Sequence, residues 1–248
     1  MIELANEGGY AILRMADGKA NAMSLDFCRT LTARFGEIER SGATAVIITG
    51  VGRMFSAGVD LPLLIEGGVP YIKEFLPALS TMLATAFAFP KPVVAAINGH
   101  AVAGGCVLAC AADERLMARD SGRIGVTELM VGVPFPPAAM EIMRCAVAPE
   151  FFAETIFGGE TYTPAHAADG GLVHEIIEPA QLMDVAKLVA GKLAALPPAT
   201  FALTKAQIRA PYLERMARTD LDATIEQIWT SPDTLARIRD YVARTLKK

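Results

Sequence analysis

Two short segments of small residues lie about forty-five positions apart: Phe55-Ser56-Ala57-Gly58-Val59-Asp60 and Ala103-Gly104-Gly105-Cys106. Each follows an apolar, strand-like run, over 45–49 and 92–98. Glycine has no Cβ, so backbone can approach a ligand closely at such points. One exposed N–H from each segment, converging on one oxygen, would hold an oxyanion. Other reactive residue types offer less. Ser56 lacks a strand-to-helix elbow, which argues against an acyl-enzyme. Asp60 reads as fixing its own loop through hydrogen bonds to backbone. His100, His166 and His174 show no metal-ligand spacing, and no metal is expected. The four cysteines, at 28, 106, 110 and 145, form neither a CxxC pair nor a zinc pattern; they read as buried thiols in a reducing compartment.

The chain that must position these residues has 248 of them, 52% hydrophobic and 20% charged, enough for a substantial core in one or two domains. A net charge of −4 and a pI near 5.5 argue against a nucleic-acid surface, while leaving room for local basic residues that hold a phosphate. The mean hydropathy of +0.36 is high, yet no run reaches the ~18 uninterrupted apolar residues of a membrane span. A well-filled core and buried subunit contacts account for the excess, and no membrane partner is expected. The first residues have no basic stretch followed by an apolar one and do not read as a secretory signal, so a cytoplasmic location is expected.

Along the chain, residues 10–15 read as a strand and 25–40 as a helix capped by Ser24. After the strand at 45–49 comes the first glycine segment. The spacing of Leu76, Leu79, Met82, Leu83 and Phe87 then predicts a helix over 69–89, closed by Pro90 and Pro92. The strand at 92–97 leads to the second glycine segment and a short helix over 105–112. Strands are expected at 113–118 and 123–126. Helices follow over 137–147, 149–157, 164–169, 179–196 and 198–208, several with proline in the first turn, then over 213–246 with a break at Ser231-Pro232. Strand-helix alternation followed by helices implies an α/β core with a helical C-terminal region. Loops over 16–23 and 60–70 should line one face of that core.

The pattern Phe55-Ser56-Ala57-Gly58-Val59-Asp60-Leu61, then Ala96-Ile97-Asn98-Gly99-His100-Ala101-Val102-Ala103-Gly104-Gly105-Cys106, then Gly171-Leu172-Val173, resembles the enoyl-CoA hydratase/isomerase (crotonase) superfamily. The resemblance runs from Ala20-Asn21-Ala22-Met23 to the helical tail. It implies a ββα spiral over 1–195 that binds acyl-CoA, and a helical oligomerisation region over 196–248, usually giving homotrimers or hexamers. It also implies that the amides of Val59 and Gly104 hold an acyl-thioester oxygen. Gly104 precedes a predicted helix, whose first N–H groups and dipole favour negative charge. By the same resemblance, backbone around Ala20, Ala22, Ala57 and Val59 holds CoA. Lys19 is placed to meet a phosphate or to stay in solvent. No cofactor is implied beyond the CoA carried by the substrate.

Two departures bear on reaction type. Typical hydratases of the superfamily carry two catalytic glutamates; the first position falls here on Val107, and the second on Glu128. Valine cannot transfer a proton. Hydration needs an oriented water and a proton for C2, which two carboxylates share. Moving a double bond from C3 to C2 needs one base, and a glutamate whose pKa is raised by an apolar pocket suits it. Second, Gly132-Val133-Pro134-Phe135-Pro136-Pro137 replaces the hydratases' glycine-rich loop and resembles monofunctional 3,2-enoyl-CoA isomerases. Phe135 either borders the acyl pocket or staples a helix entry in the core. Glu141 faces either pocket or solvent, and Asp113 and Glu114 read as structural. The expected activity is an enoyl-CoA isomerase with Glu128 as proton shuttle; an enoyl-CoA hydratase and a non-catalytic acyl-CoA binding homologue are the alternatives.

Overall fold

The computed structural model describes residues 1–18 and 20–245. Lys19, proposed above to meet a phosphate, and Leu246, the expected end of the last helix, lie outside the described residues. Nine strands are present among the described residues: β1 (Ile2–Glu7), β2 (Tyr10–Met15), β3 (Ala45–Gly50), β4 (Met54–Ser56), β5 (Val93–Ile97), β6 (His100–Val102), β7 (Glu114–Ala118), β8 (Ile124–Gly125) and β9 (Glu175–Ile177). Six form one sheet, in the order β1-β2-β3-β5-β7-β9, and three form another, β4-β6-β8. Only β1 and β2 pair antiparallel, through a Gly8-Gly9 turn whose positive φ angles match the strand twist. All other pairings are parallel. The chain visits the large sheet and then the small one three times in succession, through β3 and β4, β5 and β6, and β7 and β8.

Every residue of β3 and β5 is buried, as continuous apolar runs in a parallel sheet covered on both faces should be. Successive side chains point to opposite faces. Val46 and Ile48 face the main core, with Phe27, Leu31 and Phe35 of α1 (Leu25–Arg40). Ala45 and Ile47 face a second core, with Leu182, Ala186 and Ala190 of the helix Leu182–Ala194.

The helix expected over 69–89 begins earlier, and the expected loop over 60–70 is helical. Helix α2 spans Leu61–Ala88, with a kink at Gly68 (φ 58°, ψ −153°). The expected start at Val69 coincides with the segment beyond this kink, where Pro70 can sit because the chain has just left helical geometry. Two signals mark the missed first segment: Asp60 caps it by accepting from Leu63 N–H at 3.0 Å, and Pro62 lies in its first turn. The remaining helices are α3 (Gly104–Cys110), α4 (Glu128–Val131), α5 (Pro137–Ala146), α6 (Pro149–Gly158), α7 (Pro164–Asp169), α8 (Leu182–Ala194, after a short 3₁₀ turn), α9 (Pro198–Met216), α10 (Asp222–Thr230) and α11 (Pro232–Thr245). The helices α10 and α11 fold back onto α2, and α11 also reaches α4. No helix among the described residues is long and apolar enough to cross a membrane.

Candidate active site

The small parallel sheet gathers the chemistry. Strand β4 runs into Ala57-Gly58-Val59, β6 into Ala103-Gly104, and β8 into Val126-Thr127-Glu128. The three segments therefore leave the carboxyl ends of three neighbouring parallel strands, where open α/β folds place their ligands. Their backbones interlock. A Cβ added to Gly105 would lie 2.2 Å from Ser56 O, and one on Gly58 2.9 Å from Gly104 N, so no larger residue fits at either crossing. Gly58 also has φ near +80°, a conformation costly for side chains with a Cβ. Ala103 N–H donates to Gly125 O at 2.8 Å and ties the second segment to the strand before Glu128.

The loop before α1 is laced to the first segment. Met23 N–H donates to Gly58 O at 2.7 Å, and Asp60 N–H to Met23 O at 3.1 Å. This alternation leaves the Val59 N–H between them without a partner among the described residues. Gly104 is the first residue of α3, so its N–H has no intrahelical acceptor. Ala103, just before it, has φ 51° and ψ −125°, a strained conformation for alanine costing roughly 1–3 kcal/mol, held by the crossing of β6 with β4 and β8.

Val59, Gly104 and Glu128 line one cavity of about 80 Å³. Ala57, Val102, Val107, Val131 and Val133 are among the other residues that line it, with Leu79 and Leu83 of α2, Trp229 of α10 and Tyr241 of α11. Glu128 is the sole carboxylate in that wall among the described residues. Its side chain is 9% exposed, and Oε2 has no hydrogen-bond partner. Burial raises its pKa from 4.5 to about 7, against a smaller downward pull from the N–H groups of residues 128 and 127. Val107 is fully buried in the same wall. The site thus combines two amides without partners among the described residues with one buried acid of raised pKa, in an apolar cleft.

The other expected residues fall into three groups. Ala57 lies in the cavity wall with Val59 and Gly104. Ala20 and Ala22 are half-buried on the loop before α1, outside the wall; Ala20 O accepts from Ala57 N–H at 3.0 Å. Phe135 is 6% exposed in the main core and does not line the cavity, so it takes the staple position rather than the acyl border. Its neighbours Pro134 and Pro136 hold the chain extended, which turns the ring into the core and leaves Val133 and Pro136 toward the cavity.

Glu141 is buried in an ion pair with Arg215 (2.6 Å) and Arg144 (3.3 Å), away from the cavity. Ser56 Oγ donates to Asn21 O at 2.7 Å and is occupied structurally. His174 pairs with Glu114 at 2.8 Å, His166 stacks on Tyr162, and no metal-ligand cluster occurs among the described residues. Sequence reasoning missed Asn21 as a brace. It is buried with φ 47°, and its Nδ2 donates to Met54 O and Phe55 O, fixing the loop to β4. Trp229 and Tyr241 were also missed; nothing nearby in sequence marks them, although Trp229 is the single tryptophan of the chain.

Comparison with known proteins decides the family. The enoyl-CoA hydratase/isomerase family model matches residues 6–234. The chain belongs to the enoyl-CoA hydratase/isomerase family. A short-chain-enoyl-CoA hydratase of Clostridium acetobutylicum is 30% identical over 225 residues, 90% of this chain and 84% of that protein. The apo structure of the Mtb enoyl-CoA isomerase is 30% identical, covers 92% of this chain and 96% of its own, and superposes with a TM-score of 0.81. Human mitochondrial delta3-delta2-enoyl-CoA isomerase, at 23% identity, shares the fold with a TM-score of 0.93 over 99% of this chain and 98% of its own. The family fixes an enzyme of the hydratase or isomerase type on a crotonase fold.

Proposed function

We propose that this protein is an enoyl-CoA isomerase that converts 3-enoyl-CoA to 2-enoyl-CoA, with Glu128 as its one acid-base group. The observation that carries the reading is the single, unpaired carboxylate in an apolar cavity that also receives Val59 and Gly104. Glu128 removes a proton from C2. The C–H electron pair becomes a C1–C2 double bond, and negative charge moves to the thioester oxygen. The N–H groups of Val59 and Gly104 hold that oxygen, and donors of this kind are worth roughly 10²–10³ in rate each. The protonated acid then returns its proton to C4, the double bond comes to rest between C2 and C3, and Glu128 is regenerated. The acid neither gains nor loses a proton overall, and no cofactor beyond the substrate's own CoA enters the cycle. Backbone around Ala20, Ala22 and Ala57 is the proposed CoA contact, and the helices beyond residue 196 the proposed contact in a homotrimer or hexamer. The free thiols suit a reducing compartment such as the cytoplasm.

The hydratase reading draws on the Clostridium relative, and Val107 weighs against it, since a buried valine leaves no second group to deliver a proton while a water attacks. Separate incubations with 3-enoyl-CoA and 2-enoyl-CoA discriminate. Isomerisation of the first, with little 3-hydroxyacyl-CoA from the second, is expected. Rapid formation of 3-hydroxyacyl-CoA would establish the hydratase instead. Binding without turnover of either would leave an acyl-CoA binding protein.

A further inference from the structure

We propose that Trp229 is the residue that limits this site to short acyl chains. The inference rests on the acyl-CoA reading above. The cavity that holds Glu128 has about 80 Å³, and each water-sized group needs roughly 10–15 Å³ of such space. That leaves room for the thioester end and only a few carbons of the chain.

A second cavity of about 320 Å³ shares Pro136 with it. Both cavities are built on the same two helices. On α2, Leu79 and Leu83 face the first while Ser80 faces the second; on α10, Trp229 faces the first and Ile225 the second. Pro136 is the residue shared by the two walls, and the indole, the largest side chain lining the first cavity, takes up acyl space there. The indole is 2% exposed, and its Nε1–H donates to Pro134 O at 2.9 Å. Swinging it aside would strand that donor and carbonyl, so the indole stays in place. The hydrogen bond also fastens α10 to the loop 132–137, which makes that helix a working part of the site rather than a cover over it.

The test compares hexanoyl-CoA with dodecanoyl-CoA binding by calorimetry, and 3-hexenoyl-CoA with 3-dodecenoyl-CoA turnover, for wild type, Trp229→Ala and Trp229→Leu. The second variant keeps apolar bulk at the helix and guards against loss of the fold with the first. Wild type is expected to favour the six-carbon chain by at least about tenfold, and truncation to lower that ratio by at least about threefold by enlarging the cavity that Trp229 lines. A smaller wild-type preference, or a ratio that moves less in a folded variant, overturns the assignment. The binding arm separates the two readings: a protein that binds hexanoyl-CoA selectively but isomerises nothing refutes the isomerase and keeps the role of Trp229, whereas isomerisation of both lengths at equal rates does the reverse.

Discussion

Glu128 and Asp113 are both acids held inside the protein, and their surroundings differ at every contact. Asp113 accepts from Lys205 Nζ at 2.6 Å, Arg209 Nη2 at 2.7 Å and Val93 N–H at 2.8 Å. Arg209 in turn donates to Phe87 O and stacks on the Phe87 ring, and Lys205 donates to Lys91 O at 3.1 Å. Every buried donor there has an acceptor, so the cluster holds α9 against β5 and has no spare capacity for chemistry. Even so, burial outweighs the carboxylate at Lys205 and lowers its pKa to about 8. Glu128 has the opposite setting: apolar walls, no cation in contact, and an oxygen with no partner. A buried acid that is fully paired spends its charge on structure. One left unpaired at the edge of a cleft is poised to take and return a proton.

The contrast can be broken first on the structural side. Asp113→Ala leaves two buried cations without their anion and is expected to cost about 3–5 kcal/mol of stability by chemical denaturation, with turnover per folded molecule unchanged. A stability loss below 1 kcal/mol would mean that the cluster carries little of the fold.

On the catalytic side the sign reverses. Raising the Glu128 pKa from 4.5 to about 7 means that the folded state holds a proton the unfolded state has already released between those pH values. Stability is therefore greatest below about pH 4.5 as far as this group is concerned, and it falls as pH rises toward 7, by roughly 3 kcal/mol in all. Glu128→Gln, which never carries the buried charge, is expected to be more stable than wild type at pH 8 by up to about that amount, with the difference shrinking at pH 5. A destabilised variant at pH 8 would show that the carboxylate has a partner after all.

A smaller effect sharpens the same point. Since the base must be ionised, kcat/KM for isomerisation should rise about tenfold per pH unit at low pH and level off near pH 7. A plateau already reached by pH 5 would place the working acid in a polar environment instead.

Much of the scaffold was legible in the sequence because its signals are local. The apolar runs over 45–50 and 93–97 and the Ser24 cap each announce their element within a few residues, and Ser24 Oγ accepts from Phe27 N–H at 3.0 Å. Strands β6 and β9 escaped because three residues are too few to display an alternation, and only pairing with neighbours makes them strands. The first segment of α2 escaped because Gly67-Gly68 and Pro70 read as loop, although Asp60 and Pro62 mark its start. Within the site, the glycine segments were legible because close backbone approach demands glycine. Phe135 was ambiguous for a physical reason: an aromatic residue between two prolines can turn to either side, and only packing decides. Trp229 and Tyr241 come from helices about a hundred residues further along the chain, and their place in the cavity wall is a property of tertiary packing alone.

The most direct test of the central claim, that Glu128 is the one proton carrier beside an amide-held thioester, is exchange at C2 of a bound acyl-CoA in deuterium oxide. Wild type should incorporate deuterium at C2 and, on 3-enoyl-CoA, carry label to C4, whereas Glu128→Gln should lose this by roughly 10²–10⁴-fold while remaining folded and still binding the thioester. Exchange retained at the wild-type rate in the folded variant would contradict it.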